Sequence, residues 1–260
     1  MSIRTFLVHG LVAGLVAGIA AFIVGYTVAE PQIDRAIAVE EAAAQAEMAD
    51  MPGMAGMAGM EMDEPVVSRG TQSTWGLATM TLGIGIVLGG ITGIVSAIGL
   101  GRFGSLRPTS STALVVALAA VSYSIVPFLK YPAAPPAVGS GETTAERSAL
   151  FFGFLAISLL AMVVAVAVAR RGSRHWGGLP GILAGAGTYV VVVAVAAIAL
   201  PKVDELGSFP ASILWDFRVS SLLTLLTTWA AIGVVLTVLV DRTWRRASED
   251  EARRELAASL

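Results

Sequence analysis

The sequence predicts an all-α membrane protein, a polytopic bundle of six transmembrane helices with both termini in the cytoplasm. Of its 260 residues, 55% are hydrophobic and only 14% are charged, and the mean hydropathy is +0.77. Soluble domains carry about 25% charged residues, so this chain cannot cover a water-exposed surface with charge. Six long apolar segments and an alternation of basic residues between successive loops complete the prediction.

Each apolar segment approaches the length that a bilayer requires. A hydrocarbon core about 30 Å thick takes about 20 residues of α-helix, at about 1.5 Å per residue. The third span is the shortest, because Pro127 and Lys130 limit its end. The six predicted spans are Phe6–Val28, Trp75–Leu100, Thr112–Leu129, Ala149–Ala169, Gly181–Leu200 and Val219–Val240.

The first span begins like a signal peptide, because Arg4 precedes an apolar run. That run is 23 residues long, whereas the apolar region of a signal peptide has about 7–15 residues. Gly10, Gly14 and Gly18 also form a GxxxGxxxG stripe, which lets another helix backbone approach closely. We therefore expect this segment to be retained as a packed helix. Similar glycine spacing recurs in the second and fifth spans, at Gly85, Gly89, Gly93, Gly181 and Gly185.

The loops alternate in basic charge. One set of loops and termini holds eleven basic residues and the other holds six. Lysine and arginine accumulate on the cytoplasmic side of membrane proteins, which places both termini in the cytoplasm. Arg supplies fifteen of the seventeen basic residues, a usage typical of GC-rich bacteria, so the expected location is the bacterial inner membrane.

These boundaries divide the chain into four parts. Residues 1–29 form the first transmembrane helix, and residues 30–74 form an acidic, Met-rich extracytoplasmic loop with a helical start and a disordered centre. Residues 75–240 form a bundle of five further helices, and residues 241–260 form a charged cytoplasmic tail. Pro31 suits the first turn of a new helix at the start of the loop.

Composition excludes several classes of function. The chain has no cysteine, and its net charge of −2 gives no basic surface for nucleic acid. It has no phosphate-binding GxxxxGK[ST] motif, and His9 is the one histidine within a span, so two-histidine haem ligation is not available. We therefore expect no catalytic residue, no tightly bound cofactor and no enzymatic activity.

Glu30 and Asp34 are the first candidate site. They stand four residues apart, on one face of the predicted helix that begins the acidic loop. Two carboxylates so placed could coordinate a divalent cation. They could equally pair with Arg35 or with an arginine at the start of another span, and both alternatives stay open.

A run of methionines is the second candidate site. Six of the nine methionines lie in the segment MADMPGMAGMAGMEMDE, mostly at every third position. Thioethers favour soft ions such as Cu(I), so the segment could capture metal outside the cell. A neutral linker that arose by tandem duplication, or a docking segment for a partner, would have the same sequence. The six residues are Met48, Met51, Met54, Met57, Met60 and Met62.

Four segments resemble a known family. RTFLVHGLVAGLVAGIAAF, EPQIDRAI, PFLKYPAAPPAVG and FPASILWDFRVSSL are together similar to the cobalt transporter subunit CbtA. The resemblance implies cobalt uptake that supports cobalamin synthesis, with a small single-span companion subunit. It covers nearly the whole chain except residues 40–65. Relatives often have Asn at the position of Ala134 and histidines in the first outer loop, and this chain has neither.

The resemblance can be carried over residue by residue. The matching positions are Glu30, Pro31, Lys130, Tyr131, Pro132, Pro135, Pro136, Gly139, Arg147, Pro210, Trp215, Phe217 and Arg218. We expect the transported ion to pass near the outer end of the bundle. The expected ion is cobalt or another divalent metal, with Cu(I) as the alternative. The expected path residues are Lys130, Tyr131, Pro135, Arg147, Trp215, Asp216 and Arg218. A scaffold that presents metal to a partner without transporting it is the third hypothesis.

Overall fold

Six long helices build the protein. The computed structural model describes residues 2–49, 67–136, 138–139, 141–203 and 206–259, and these contain helices, turns and loops but no strand. The helices able to cross a membrane are α1 (Ile3–Ala46), α2 (Arg69–Gly99), α3 (Pro108–Lys130), α4 (Thr144–Trp176), α5 (Gly178–Ala199) and α6 (Ala211–Ser259). Each matches one predicted span, although the second and fifth predicted spans run one residue past their helices, to Leu100 and Leu200. The prediction of an all-α protein with six apolar helices is confirmed.

The helices alternate in direction, so the bundle has two distinct ends. We call the end with Glu30, Arg69, Lys130 and Asp216 the loop end, and the end with Ser2 and Asp241 the terminal end. Helices α1 and α6 have 44 and 49 residues. At about 1.5 Å per residue both are far longer than the hydrocarbon core of about 30 Å. The second half of α1 therefore extends beyond the loop end, and the last part of α6 extends beyond the terminal end.

Helices α1 and α2 pack backbone to backbone. A Cβ added at Gly89 would lie 2.6 Å from the Cα of Gly14, and one added at Gly18 would lie 2.7 Å from the Cα of Leu82. Lipid tails give helices no hydrophobic reason to associate, so van der Waals contact along such a seam holds them together. The predicted glycine stripe is thus the contact surface between the first two spans.

Helices α1, α2, α3 and α6 share one core. Phe6 of α1 and Ile232, Leu236 and Val240 of α6 are fully buried, and they form a cluster that includes Val116 of α3. We call these four helices the four-helix unit. Helices α4 and α5 form a separate antiparallel hairpin, in which a Cβ added at Gly185 would lie 2.6 Å from the carbonyl oxygen of Ala165.

Three of the helices contain a short π-helical turn: Gly25–Ala29 in α1, Gln72–Gly76 in α2 and Ala120–Ile125 in α3. Two of these turns end two residues before a proline, Pro31 or Pro127. Proline lacks an N–H group and its ring clashes with the carbonyl four residues before it, and the wider π turn accommodates both defects. Pro31 therefore does not begin a separate helix, because α1 continues through it to Ala46.

Candidate functional site

The π turn in α1 moves Glu30 onto the buried face of that helix. The N–H of Glu30 donates to the carbonyl of Gly25, five residues earlier. Because this turn holds one residue more than an α turn, the buried stripe passes from Gly25 to Glu30. Glu30 is only 7% exposed, and it is the one carboxylate among the buried described residues.

Arg69 of α2 binds both carboxylates of the first predicted site. Its Nη2 donates to Glu30 and, at 3.0 Å, to Asp34, and its Nε lies 3.1 Å from the same Asp34 oxygen. The structure thus brings Glu30 and Asp34 together, with an arginine at the position that a divalent cation would take. This contact is the predicted alternative in which the two carboxylates pair with an arginine at the start of another span. Coordination of metal by the two carboxylates stays a prediction.

A weaker ion pair joins α1 to α6 at the same end. Arg35 lies 3.6 Å from Asp216, and both side chains are at least half exposed. An exposed pair contributes at most about 1 kcal/mol. Trp215 beside it is exposed, whereas the Nε of Arg218 is buried and has no hydrogen-bond partner among the described residues. We call Glu30, Asp34, Arg35, Arg69 and Asp216 the carboxylate–arginine cluster.

The other predicted path residues form a second group, on α3 and the segments around it. Lys130 Nζ donates to the carbonyl of Leu200 at 3.1 Å, and Tyr131 Oη donates to that of Pro201 at 2.8 Å. Burial raises the pKa of the Tyr131 phenol, so the hydroxyl remains a donor at physiological pH. Pro135 is buried nearby in the chain, and Arg147 donates to the carbonyl of Val138 at 3.2 Å.

The predicted site residues therefore do not form one centre. The described contacts put Lys130, Tyr131 and Arg147 on the α3–α5 side and the carboxylate–arginine cluster on the α1–α2–α6 side. The described residues hold no group of three or more His, Asp or Glu side chains that could bind a metal ion. Met48 is exposed in the helical residues that follow Ala46, and Met51, Met54, Met57, Met60 and Met62 lie outside the described residues.

A buried polar network lies deeper, around the π turn of α3. Ser158 of α4 donates to the carbonyl of Ser122 at 2.7 Å and shares a hydrogen bond of 2.8 Å with Tyr189 of α5. Trp229 of α6 donates through Nε1 to the hydroxyl of Ser124 at 2.7 Å. Neither Ser158 nor Tyr189 is among the site residues predicted from the sequence. The sequence signal for such a network was Pro127 inside an apolar span. Because proline has no backbone N–H, a carbonyl in the preceding turn lacks its helical donor and needs another partner.

His9 lies at the terminal end, on α1. Its Nε2 is 3.5 Å from Thr243 Oγ1 of α6, and its Nδ1 is buried without a partner among the described residues. This placement matches a histidine that contacts a neighbouring helix.

Comparison with protein families gives one result that covers most of the chain. The family model described as "Probable cobalt transporter subunit (CbtA)" matches residues 3–241, from the start of α1 to the end of the apolar part of α6. No curated protein and no solved structure matches the chain. The chain is therefore a multi-pass membrane protein that belongs to the CbtA family of probable cobalt transporter subunits.

Proposed function

We propose that this chain is the membrane-spanning subunit of a cobalt importer in the bacterial inner membrane. Both termini face the cytoplasm, a small single-span companion completes the transporter, and the imported cobalt supports cobalamin synthesis. The family match over residues 3–241 carries the proposal. The word "subunit" in the family description supports a partner, and the excess of arginine at the terminal end supports the orientation.

In this orientation the carboxylate–arginine cluster faces the outside. Glu30 and Asp34 attract a cation, and Arg69 compensates one of their two negative charges while no cation is bound. The described interior offers serine, threonine and tyrosine hydroxyls rather than carboxylate clusters. Such weak ligands suit passage, because an ion that binds too tightly inside a membrane pathway does not leave.

Cellular metal content tests this proposal. Cells that express the chain together with its companion should accumulate more cobalt than cells that express the companion alone. The difference should be largest at low external cobalt. Copper should stay at the control level in both strains, measured in the same samples. Unchanged cobalt in cells where the chain is present in the membrane would contradict the proposal.

Copper handling through the methionine segment is the second candidate function, and the six clustered methionines favour it. If the segment captures metal, deletion of residues 51–62 should reduce uptake mainly at low external metal. Capture depends on the thioethers rather than on length, so leucine at Met51, Met54, Met57 and Met60 should have the same effect as the deletion. Uptake that is unchanged at every concentration would identify the segment as a linker.

A further inference from the structure

The α4–α5 hairpin is attached to the rest of the protein at one place. Within the described residues its packing against other helices is concentrated on residues 120–130 of α3. Val121 and Val126 of α3 pack against the buried cluster of Ala161, Ala165 and Tyr189 in the hairpin. Helix α5 otherwise lies at the periphery, since only 11% of its most apolar stretch is buried inside the protein.

The attachment coincides with the π turn of α3. The N–H of Val126 donates to the carbonyl of Val121, five residues earlier. It therefore does not serve the carbonyl of Ser122, which would accept this N–H in an α-helix. The hydroxyl of Ser158 donates to that carbonyl instead, and Tyr189 holds the Ser158 hydroxyl in turn. The hairpin thus stabilises the π turn through a carbonyl that the turn releases.

The two sides of the π turn belong to different parts of the protein. Before the turn, Val116 packs in the core of the four-helix unit. Within the turn, Ser124 accepts from Trp229 of α6. After it, Lys130 bonds to the carbonyl of Leu200 just past the end of α5, and the Tyr131 ring packs edge-on against Phe154 of α4. The end of α3 is therefore fixed to the hairpin, while its beginning is fixed to the four-helix unit.

We propose that the π turn Ala120–Ile125 is the joint at which the α4–α5 hairpin moves against the four-helix unit. Ser158 and Tyr189 are the positioning residues that hold this joint in the observed state. One seam inside each unit is too close for sliding, because Gly14 and Gly89, and likewise Gly185 and Ala165, meet at the backbone. π turns and prolines are the usual sites of bends in helices, and transporters commonly work by rocking one helical unit against another. The role of this motion in transport rests on the proposed cobalt import. The existence of the joint does not depend on it.

Distances between spin labels test the joint without any metal. The chain has no cysteine, so single cysteines at exposed positions can carry labels. Met80 of α2 and Ile198 of α5 report motion between the units, and Met80 with Val238 of α6 reports motion within the four-helix unit. Both distances are measured by double electron–electron resonance spectroscopy on the full chain in lipid vesicles.

The Ser158→Ala variant should widen and displace the distribution between Met80 and Ile198 and leave that between Met80 and Val238 unchanged. Ser158→Thr keeps the hydroxyl and should restore the original distribution. Tyr189→Phe, which leaves the bond between Ser158 and Ser122 in place, should give a smaller shift in the same direction. The matched control is Ser220→Ala, since within the described residues this buried hydroxyl bonds only to the carbonyl of Phe217 in its own helix.

An unchanged distance between Met80 and Ile198 in both Ser158→Ala and Tyr189→Phe would overturn the joint. Equal changes in the two label pairs, or the same change in Ser220→Ala, would also overturn it, because they indicate general loosening. None of these readouts involves cobalt. A chain that fails to transport cobalt can therefore still confirm the joint, and a transporting chain can still refute it.

Discussion

Replacing Gly89 by alanine should destabilise the folded protein more than any other single substitution that we propose. A Cβ at this position would lie 2.6 Å from both the amide nitrogen and the Cα of Gly14, and backbone atoms cannot move aside as a flexible side chain can. Overpacking in a core costs about 1–3 kcal/mol, and more where the neighbours cannot relax. We expect a loss of folding free energy at the high end of this range, at least about 3 kcal/mol. It is measured as a lower thermal stability and a smaller yield of monodisperse protein in detergent.

Gly83→Ala is the matched control for this substitution. It makes the same chemical change in the same helix, but a Cβ at Gly83 meets no atom within 4 Å. Alanine favours helix over glycine by about 1 kcal/mol, so Gly83→Ala should leave the stability unchanged or raise it. Equal stability of the two variants would show that α1 and α2 do not pack along the glycine seam.

Removing the arginine of the carboxylate–arginine cluster should have the next largest effect. Arg69→Ala leaves Glu30, which is 7% exposed, without its charged partner. Breaking a buried ion pair on one side costs about 3–5 kcal/mol, and we expect the lower end because a third of the Arg69 side chain is exposed. Asp34→Ala should cost less than about 1 kcal/mol, because the Asp34 side chain is 64% exposed.

The same variant reports whether the two carboxylates can bind the substrate. With Arg69 gone, Glu30 and Asp34 are free to coordinate a divalent cation, and added cobalt should restore part of the lost thermal stability. The double variant Arg69→Ala, Glu30→Gln has lost one ligand and should not respond. Equal responses of the single and double variants would exclude metal binding by the pair.

Much of the fold follows from composition and spacing alone. The six spans are set by apolar length, and the seam between α1 and α2 follows from glycines four residues apart. The residues alone left open whether Glu30 and Asp34 bind a cation, Arg35 or an arginine at the start of another span, because the partner depends on the register of α1. The π turn moves that register by one residue, and a pattern with a fixed period of 3.6 does not contain that shift.

The deeper polar network shows a second limit of sequence analysis. Ser158 and Tyr189 are single polar residues in otherwise apolar helices, a common pattern in membrane spans. Their pairing depends on the antiparallel contact of α4 with both α3 and α5. Helix contacts in membranes are set by local shape rather than by hydrophobicity, so the pairing of α4 with these two helices could not be predicted from apolar periodicity.

Flux of cobalt into sealed vesicles tests the central claim most directly. The purified chain and its companion are reconstituted together, cobalt is added outside, and the metal trapped inside is measured over time. We predict that cobalt enters faster than into vesicles that contain the companion alone, and that copper does not. Cobalt that binds to the protein without entering the vesicles would contradict transport and identify the chain as a scaffold that presents metal to a partner.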